Sequence, residues 1–293
     1  MNLNKSTYLN EQLIINLKPA CKVGLAAGLD KNGDYIDSLS SLGFGFLEVG
    51  TVTPRPQPGN PKPRLLRIKR SKALVNKMGF NNKGVDHLVS NLKKRKTTIP
   101  IGVSIGKNFD TPNEVAYKDY IYCLDRIYEY SDYIAINISS PNTEGLRDLE
   151  SKKELENLLS AIKQKQMELA DKFGYRPLFL KISPDSNKES VQSVCEAIKS
   201  HRIDGLICTN TTTDHVYFSG SGGLSGKPLM GPSTTTLRMV RKFLGGKFPI
   251  IASGGVMSKE DYQKKIDAGA DLVQIYTGFI YEGPKLIDDI LNK

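Results

Sequence analysis

Tyr133-Ile134-Ala135-Ile136-Asn137-Ile138-Ser139-Ser140-Pro141-Asn142 is an apolar, β-branched run that ends abruptly in hydroxyls and amides. A short run of this kind reads as a buried strand whose far end delivers polar groups. With the strand taken as Tyr133–Ser139, the same plan recurs along the chain at Val23–Leu29, Phe44–Gly50, Ile99–Ile105, Leu178–Ser183, Gly205–Asn210, Ile250–Gly254 and Leu272–Thr277. Helical periodicity fills the gaps at Lys153 to Leu169, Lys188 to Lys199, Thr234 to Phe243 and Lys259 to Ala268, the last closing at Gly269. Strands alternating with helices imply right-handed βαβ units and a parallel sheet, and eight such units suggest closure into a (β/α)8 TIM barrel. An open doubly wound sheet is the competing arrangement. A chain of 293 residues accommodates one barrel of roughly 250 residues with short additions. The expected organisation is a short N-terminal segment, 1–23, and a single catalytic barrel, 24–293.

Two connections depart from the repeat. Thr51 to Val75 is long and carries Pro54, Pro56, Pro58, Pro61 and Pro63, which marks a lid or binding surface on the face where the strands end. Thr212 to Pro232 carries Gly220, Gly222, Gly223 and Gly226, and its backbone can approach a ligand closely.

Composition narrows the function classes. No apolar run is long enough to span a bilayer, and Met1 to Asn10 is polar, unlike a signal peptide, so a soluble or peripheral protein is expected. The net charge of +10 favours anions without choosing among nucleic acid, membrane surface and acidic metabolite. The run Lys93-Lys94-Arg95-Lys96 suits a helix C-terminus, with a docking patch as the alternative. Cys21, Cys123, Cys195 and Cys208 are scattered singly, and with His87, His201 and His215 they offer no metal-ligand spacing. No metal is expected, and the cysteines read as buried small hydrophobes.

In such barrels the catalytic groups sit at the C-terminal ends of the strands. Here those ends carry Ala26-Ala27-Gly28-Leu29-Asp30-Lys31, Glu48-Val49-Gly50-Thr51, Asn137 to Asn142, Lys181, Thr209-Asn210-Thr211, Ser253-Gly254-Gly255 and Tyr276-Thr277-Gly278. The set is mostly amides, hydroxyls and two lysines, suited to a planar polar heterocycle, and it lacks the paired carboxylates of a glycosidase. Gly254-Gly255 and Tyr276-Thr277-Gly278 fall where barrels commonly hold a phosphate. Lys181, lining the mouth, calls for a negative partner. A flavin would provide one, because its reduction leaves negative charge near N1, and a neighbouring carboxylate is the alternative. Asn76, Asn137, Asn142 and Asn210 can each donate and accept in one plane, matching the edge of a pyrimidinedione.

Several long motifs in order resemble the dihydroorotate dehydrogenases: Gly24 to Gly33, Val49 to Pro54, Pro58 to Pro61, Gly79-Phe80-Asn81-Asn82, Asn137 to Thr143 with Gly145-Leu146-Arg147, and Gly222 to Leu229. The resemblance runs from about residue 24 to the C-terminus and implies oxidation of dihydroorotate to orotate with FMN as hydride acceptor. Members of class 1 use cysteine as the base. Class 2 members, membrane-associated and quinone-linked, use serine, and Ser140 occupies that position. The resemblance implies that Ser140 removes the C5 proton while hydride leaves C6, with Thr143 a candidate for carrying the proton away. It places Lys31, Asn76, Gly79, Phe80, Asn137, Asn142, Asn210 and Thr211 around orotate. Flavin contacts would come from Ala26, Ala27, Gly28, Lys31, Thr51, Ser104, Asn137, Lys181, Thr209, Ser225, Gly226, Gly254, Gly255, Tyr276 and Thr277. Arg67 matches an arginine on the quinone approach.

Two departures accompany the resemblance. Class 2 members place amphipathic helices before the barrel, whereas 23 residues precede Gly24 here, so a shortened N-terminus is expected. Quinone as acceptor and peripheral contact with the cytoplasmic face of a membrane then rest on the resemblance, and the oligomeric state stays open. Ser104 stands where the class has asparagine, which predicts a retuned flavin. The alternatives are class 1 chemistry with fumarate or NAD, against which Ser140 argues, and tRNA dihydrouridine synthesis, which needs a cysteine acid and an RNA-binding extension. A catalytically silent flavoprotein would not need this base together with these lysines and amides. No nucleic-acid partner is expected.

Overall fold

The computed structural model describes residues 17, 19–150, 152–246 and 248–291, so most of the expected segment 1–23 lies outside the described residues. Eight strands close a parallel barrel: β1 (Val23–Leu25), β2 (Phe46–Val52), β5 (Ile101–Ile105), β6 (Tyr133–Asn137), β7 (Leu178–Ile182), β8 (Gly205–Cys208), β10 (Ile250–Ser253) and β11 (Leu272–Ile275). All eight runs read from the sequence are present. Most end one to four residues earlier than expected, because their polar tails leave the hydrogen-bonded ladder to line the mouth. The circle closes where β1 pairs with β11, Val23 opposite Val273 and Leu25 opposite Ile275. An open doubly wound sheet is thereby excluded.

Helices follow the strands: α1 (Ile36–Ser40), α2 (Val85–Leu92), α3 (Ala116–Ile127), α4 (Lys152–Phe173), α5 (Lys188–Ser200), α6 (Met230–Leu244), α7 (Lys259–Asp267), α8 (Thr277–Glu282) and α9 (Lys285–Leu291). Helix α6 begins four residues before the expected Thr234, since Pro232 is compatible with a first turn that needs no N–H partner. Helix α4 runs on to Phe173 and is followed by Gly174 in a left-handed conformation. The basic run Lys93–Lys96 follows the end of α2, and Arg95 there pairs with Asp132 at 3.1 Å and donates to Tyr130 O. Cys123, Cys195 and Cys208 are buried as expected; Cys21 is a correction, because it is only half-buried just before β1.

The lower interior of the barrel is filled by an apolar layer in which Phe46, Tyr133 and Phe179 pack edge to face, with centroids 6.4 and 5.4 Å apart. The rings occupy the space left by Gly24, Gly102 and Gly205. A Cβ on Gly102 would stand 2.0 Å from Tyr133 Cζ, so bulk on one strand requires its absence on the next. This layer forms a solid floor, and the site stands above it.

The two long connections are not independent loops. Thr51 to Val75 contains β3 (Leu65–Ile68) and the start of β4 (Ala73–Asn76), and Thr212 to Pro232 contains β9 (Gly223–Gly226). These three strands form an antiparallel sheet in the order β3-β4-β9, joining Ala73 to Gly226 and Asn76 to Gly223 across the mouth. Glycine is required at the far end of this seam, since a Cβ on Gly226 would meet Lys72 O at 2.2 Å.

Candidate active site

The strand ends and the small sheet enclose a cleft of about 1110 Å³, open solvent at its mouth included, room for a cofactor together with a small substrate. Beyond β6 the chain turns at Pro141, and Ser140, 5% exposed, faces the cleft. Its Oγ accepts from Asn142 N at 3.3 Å, a local turn bond that fixes the hydroxyl's position. The four asparagines form two pairs. Asn142 Nδ2 donates to Asn76 Oδ1 at 2.9 Å, and Asn210 Nδ2 donates to Asn137 Oδ1 at 3.2 Å. Asn137 Nδ2 is spent on Thr51 Oγ1 at 2.9 Å, while Asn142 Oδ1 is buried without a partner among the described residues, an acceptor suited to a ligand N–H.

Arg147 ties this turn to its neighbour. Its Nε donates to Ser139 O at 3.2 Å, its Nη2 to Thr211 O at 3.1 Å, and its Nη1 pairs with Asp185 at 2.9 Å. Asp185 in turn accepts from Thr212 and Thr213, which with Arg147 hold its carboxyl below the usual range despite burial.

Below the asparagines lies a charged layer. Lys181 Nζ is 3.7 Å from Glu48 Oε1, and Glu48 Oε2 accepts from Gln274 at 2.7 Å and from Tyr133 at 3.1 Å. Lys181 therefore has the carboxylate partner that is the alternative reading, and it also lines the cleft. Lys31, on the opposite wall, donates to Gly28 O at 2.9 Å. Burial, with Arg64 adding to it, pushes its ammonium down to about 8.

At the other end of the cleft Gly254 and Gly255 take φ of +108° and +88° and pack directly on the start of α6, where a Cβ on Gly255 would meet Met230 Cα at 2.3 Å. Thr277 Oγ1 donates to Ser225 Oγ at 2.8 Å, and Tyr276, Thr277, Ser225 and Gly226 complete that wall. Close-packed backbone with small side chains is the donor set that suits a phosphate.

Nearly every residue to which the resemblance gives a site role lines this one cleft, including Ala26, Ala27, Thr51, Gly79, Phe80, Thr209 and Thr211. Three do not. Ser104 is fully buried behind Thr51, hydrogen-bonded to Thr51 Oγ1 at 2.8 Å, so it reaches the cleft through that threonine. Thr143 is buried beside the turn, its Oγ1 without a partner among the described residues. Arg67 lies on β3 with its guanidinium 5.3 Å from the Tyr281 ring centre. The lining residues Leu65, Leu74, Met78 and Leu229, and the positioning roles of Glu48, Gln274 and Arg147, escaped the sequence reading. Glu48 and Gln274 did carry a signal, as polar residues inside otherwise apolar strands.

The family model for dihydroorotate dehydrogenase matches residues 10–293. A dihydroorotate dehydrogenase (quinone) of Vibrio parahaemolyticus is 53% identical over 277 residues, covering 92% of this chain and 82% of its own. One of Shewanella oneidensis is 55% identical with the same coverage. Among solved structures, the Eimeria tenella enzyme in complex with ferulenol superposes with a TM-score of 0.87 at 37% identity, covering 92% of this chain and 79% of its own.

Proposed function

The chain belongs to the dihydroorotate dehydrogenase family, and from that premise we propose that it oxidises dihydroorotate to orotate in pyrimidine biosynthesis, with FMN as the hydride acceptor and a quinone as the final acceptor. The observation that carries the reading is Ser140, buried at the cleft between two preorganised asparagine pairs. Orotate is a planar ring with an imide edge and a carboxylate, and its precursor carries the same imide edge and carboxylate on a ring whose C5 and C6 are tetrahedral. Asn76, Asn142, Asn137 and Asn210 suit the imide edge, Lys31 suits the carboxylate, and Gly79, Phe80 and Thr211 shape the remaining wall.

The cleft fits FMN. Gly254, Gly255, Tyr276, Thr277, Ser225 and Gly226 would hold its phosphate, while Ala26, Ala27, Gly28, Thr51, Asn137, Lys181 and Thr209 would hold its ring. Bound there, FMN supplies the acceptor for the hydride leaving C6. Ser140 Oγ takes the C5 proton, which makes the loss of H⁺ and H⁻ complete the C5–C6 double bond. A serine hydroxyl is a poor base in water, so its burial and an onward proton acceptor are both required. Thr143 Oγ1, buried and without a partner among the described residues, is the candidate next stop. Lys181, with Glu48 behind it, would hold a positive charge against the ring.

Quinone as acceptor is supported by Ser140, the serine that marks class 2, and by the quinone-linked relatives. Arg67 beside the exposed Leu65 and Leu66 is the candidate approach. Peripheral contact with the cytoplasmic face of a membrane is the matching localisation; among the described residues no helix is long and apolar enough to cross one. The test is anaerobic. Dihydroorotate should bleach the yellow protein, and a soluble quinone should restore the colour where fumarate and NAD+ do not. Ser140→Ala should keep its flavin and bleach slower by orders of magnitude. A flavin that dihydroorotate cannot bleach sinks the assignment.

A further inference from the structure

Lys265, the most deeply buried lysine among the described residues, carries a charge that the proposed reaction leaves unexplained. It projects from α7, is 0% exposed, and among the described residues its ammonium has a single hydrogen-bond partner, Ser233 Oγ at 2.6 Å. Ser233 lies in the first turn of α6, and its hydroxyl reaches Leu229 O at 2.6 Å and Gly254 O at 2.9 Å. The ammonium is thus held directly behind the Gly254-Gly255 turn.

Two effects oppose a charge at that point. Burial strips the ammonium of water, and the first turn of a 15-residue helix is the positive end of its dipole. Burial dominates and pushes the group down to about 7; of the groups facing it, Asp261 on its own helix favours the charged form, Arg238 on α6 opposes it, and the Cys208 thiol on β8, itself pushed well up by burial, is uncharged. A cation placed where desolvation and the helix dipole both disfavour it calls for an anion, and the cleft side of Gly254-Gly255 is where the phosphate of FMN would stand.

We propose that Lys265 is a buried positioning residue for the cofactor: through Ser233 it braces the Gly254-Gly255 turn, and its charge is recruited by a phosphate monoester dianion bound on the other side of that turn. The inference rests on the FMN reading above. It makes cofactor capture proton-coupled: above neutral pH the phosphate-bearing flavin brings a proton to Lys265, and riboflavin, which lacks the phosphate, does not.

The test begins by identifying the flavin released from the purified holoenzyme. Absence of FMN would refute the underlying reading and is distinguishable from failure of the present one. The full-length protein stripped of flavin is then reconstituted with FMN or riboflavin, followed by quenching of flavin fluorescence. Lys265→Met should cut the preference for FMN over riboflavin at least about tenfold, the scale of a charge interaction across one layer of backbone, leaving riboflavin affinity near wild type. Equal loss for both flavins, or no loss, overturns the proposal. Calorimetry on the wild type needs no variant. At pH 8, in two buffers of different ionisation enthalpy, FMN should take up more protons than riboflavin, and equal uptake also overturns it.

Discussion

Lys31 should impose a pH limit on orotate binding. Its ammonium reaches Gly28 O at 2.9 Å, and burial followed by Arg64 holds it down at about 8 instead of the ordinary 10.5. The sign follows directly. Folding favours the neutral form, so the empty fold is penalised at and below neutral pH and gains stability as pH rises from about 8 toward 10.5. The orotate carboxylate favours the charged form, so binding draws the group back up. Affinity should be flat below about 7.5, then weaken about tenfold per pH unit above about 8 until the bound-state value is reached. Full restoration to 10.5 allows a loss of about two and a half orders of magnitude, ~3.4 kcal/mol at ~1.36 kcal/mol per unit. The assay is orotate titrated into the oxidised protein from pH 6 to pH 10, read from the perturbed flavin absorption. Lys31→Arg, charged throughout, should bind more weakly overall and lose the inflection. A flat wild-type profile through pH 9.5, or an inflection that survives Lys31→Arg, refutes the reasoning.

Glu48→Gln leaves the Lys181 ammonium facing a neutral amide at the 3.7 Å contact, and an uncompensated cation beneath the ring should raise the flavin midpoint potential by some tens of mV; a dye-coupled redox titration showing no rise contradicts this. Arg147→Met unties the Ser140 turn from Thr211. Stopped-flow reduction by dihydroorotate should slow at least about tenfold, the rate equivalent of ~1.4 kcal/mol, with flavin content retained, whereas wild-type rates would make the tether incidental. Gly102→Ala drives a methyl into Tyr133, costing about 1–3 kcal/mol and lowering Tm by several degrees. An unchanged melting curve would mean that the floor packs more loosely than described.

The barrel was legible because each strand is a separate, strongly apolar run, and burial on both faces leaves little ambiguity about its state. The cleft was legible for a related reason: barrel strands all point their C-terminal ends to one face, so a polar residue closing such a run can be placed before any coordinate is known. The small sheet was not. Leu65, Leu66, Arg67 and Ile68 lie largely exposed on an edge strand, and β9 is Gly-Leu-Ser-Gly, so neither alternates apolar and polar residues in the way that marks a strand. Their pairing through β4 is a tertiary fact, joining residues about 150 positions apart. Ser104 stands one layer behind the cleft wall, which sequence order alone does not show. Sequence order shows that a residue is at a strand end, while whether it reaches the cavity depends on what the adjacent strand places before it, here Thr51.

The pairing of β1 with β11 has a consequence for how the protein is made. A ribosome releases Lys31 and Thr51 early, yet Ser225 to Thr277, the wall proposed for the phosphate, emerges far later, and Val23 cannot meet Val273 until residue 273 is out. Contacts so distant in sequence form slowly. The nascent chain therefore has no complete flavin cleft during most of its synthesis, and ribosome-bound chains stopped before Tyr276 should retain no flavin while the finished protein does.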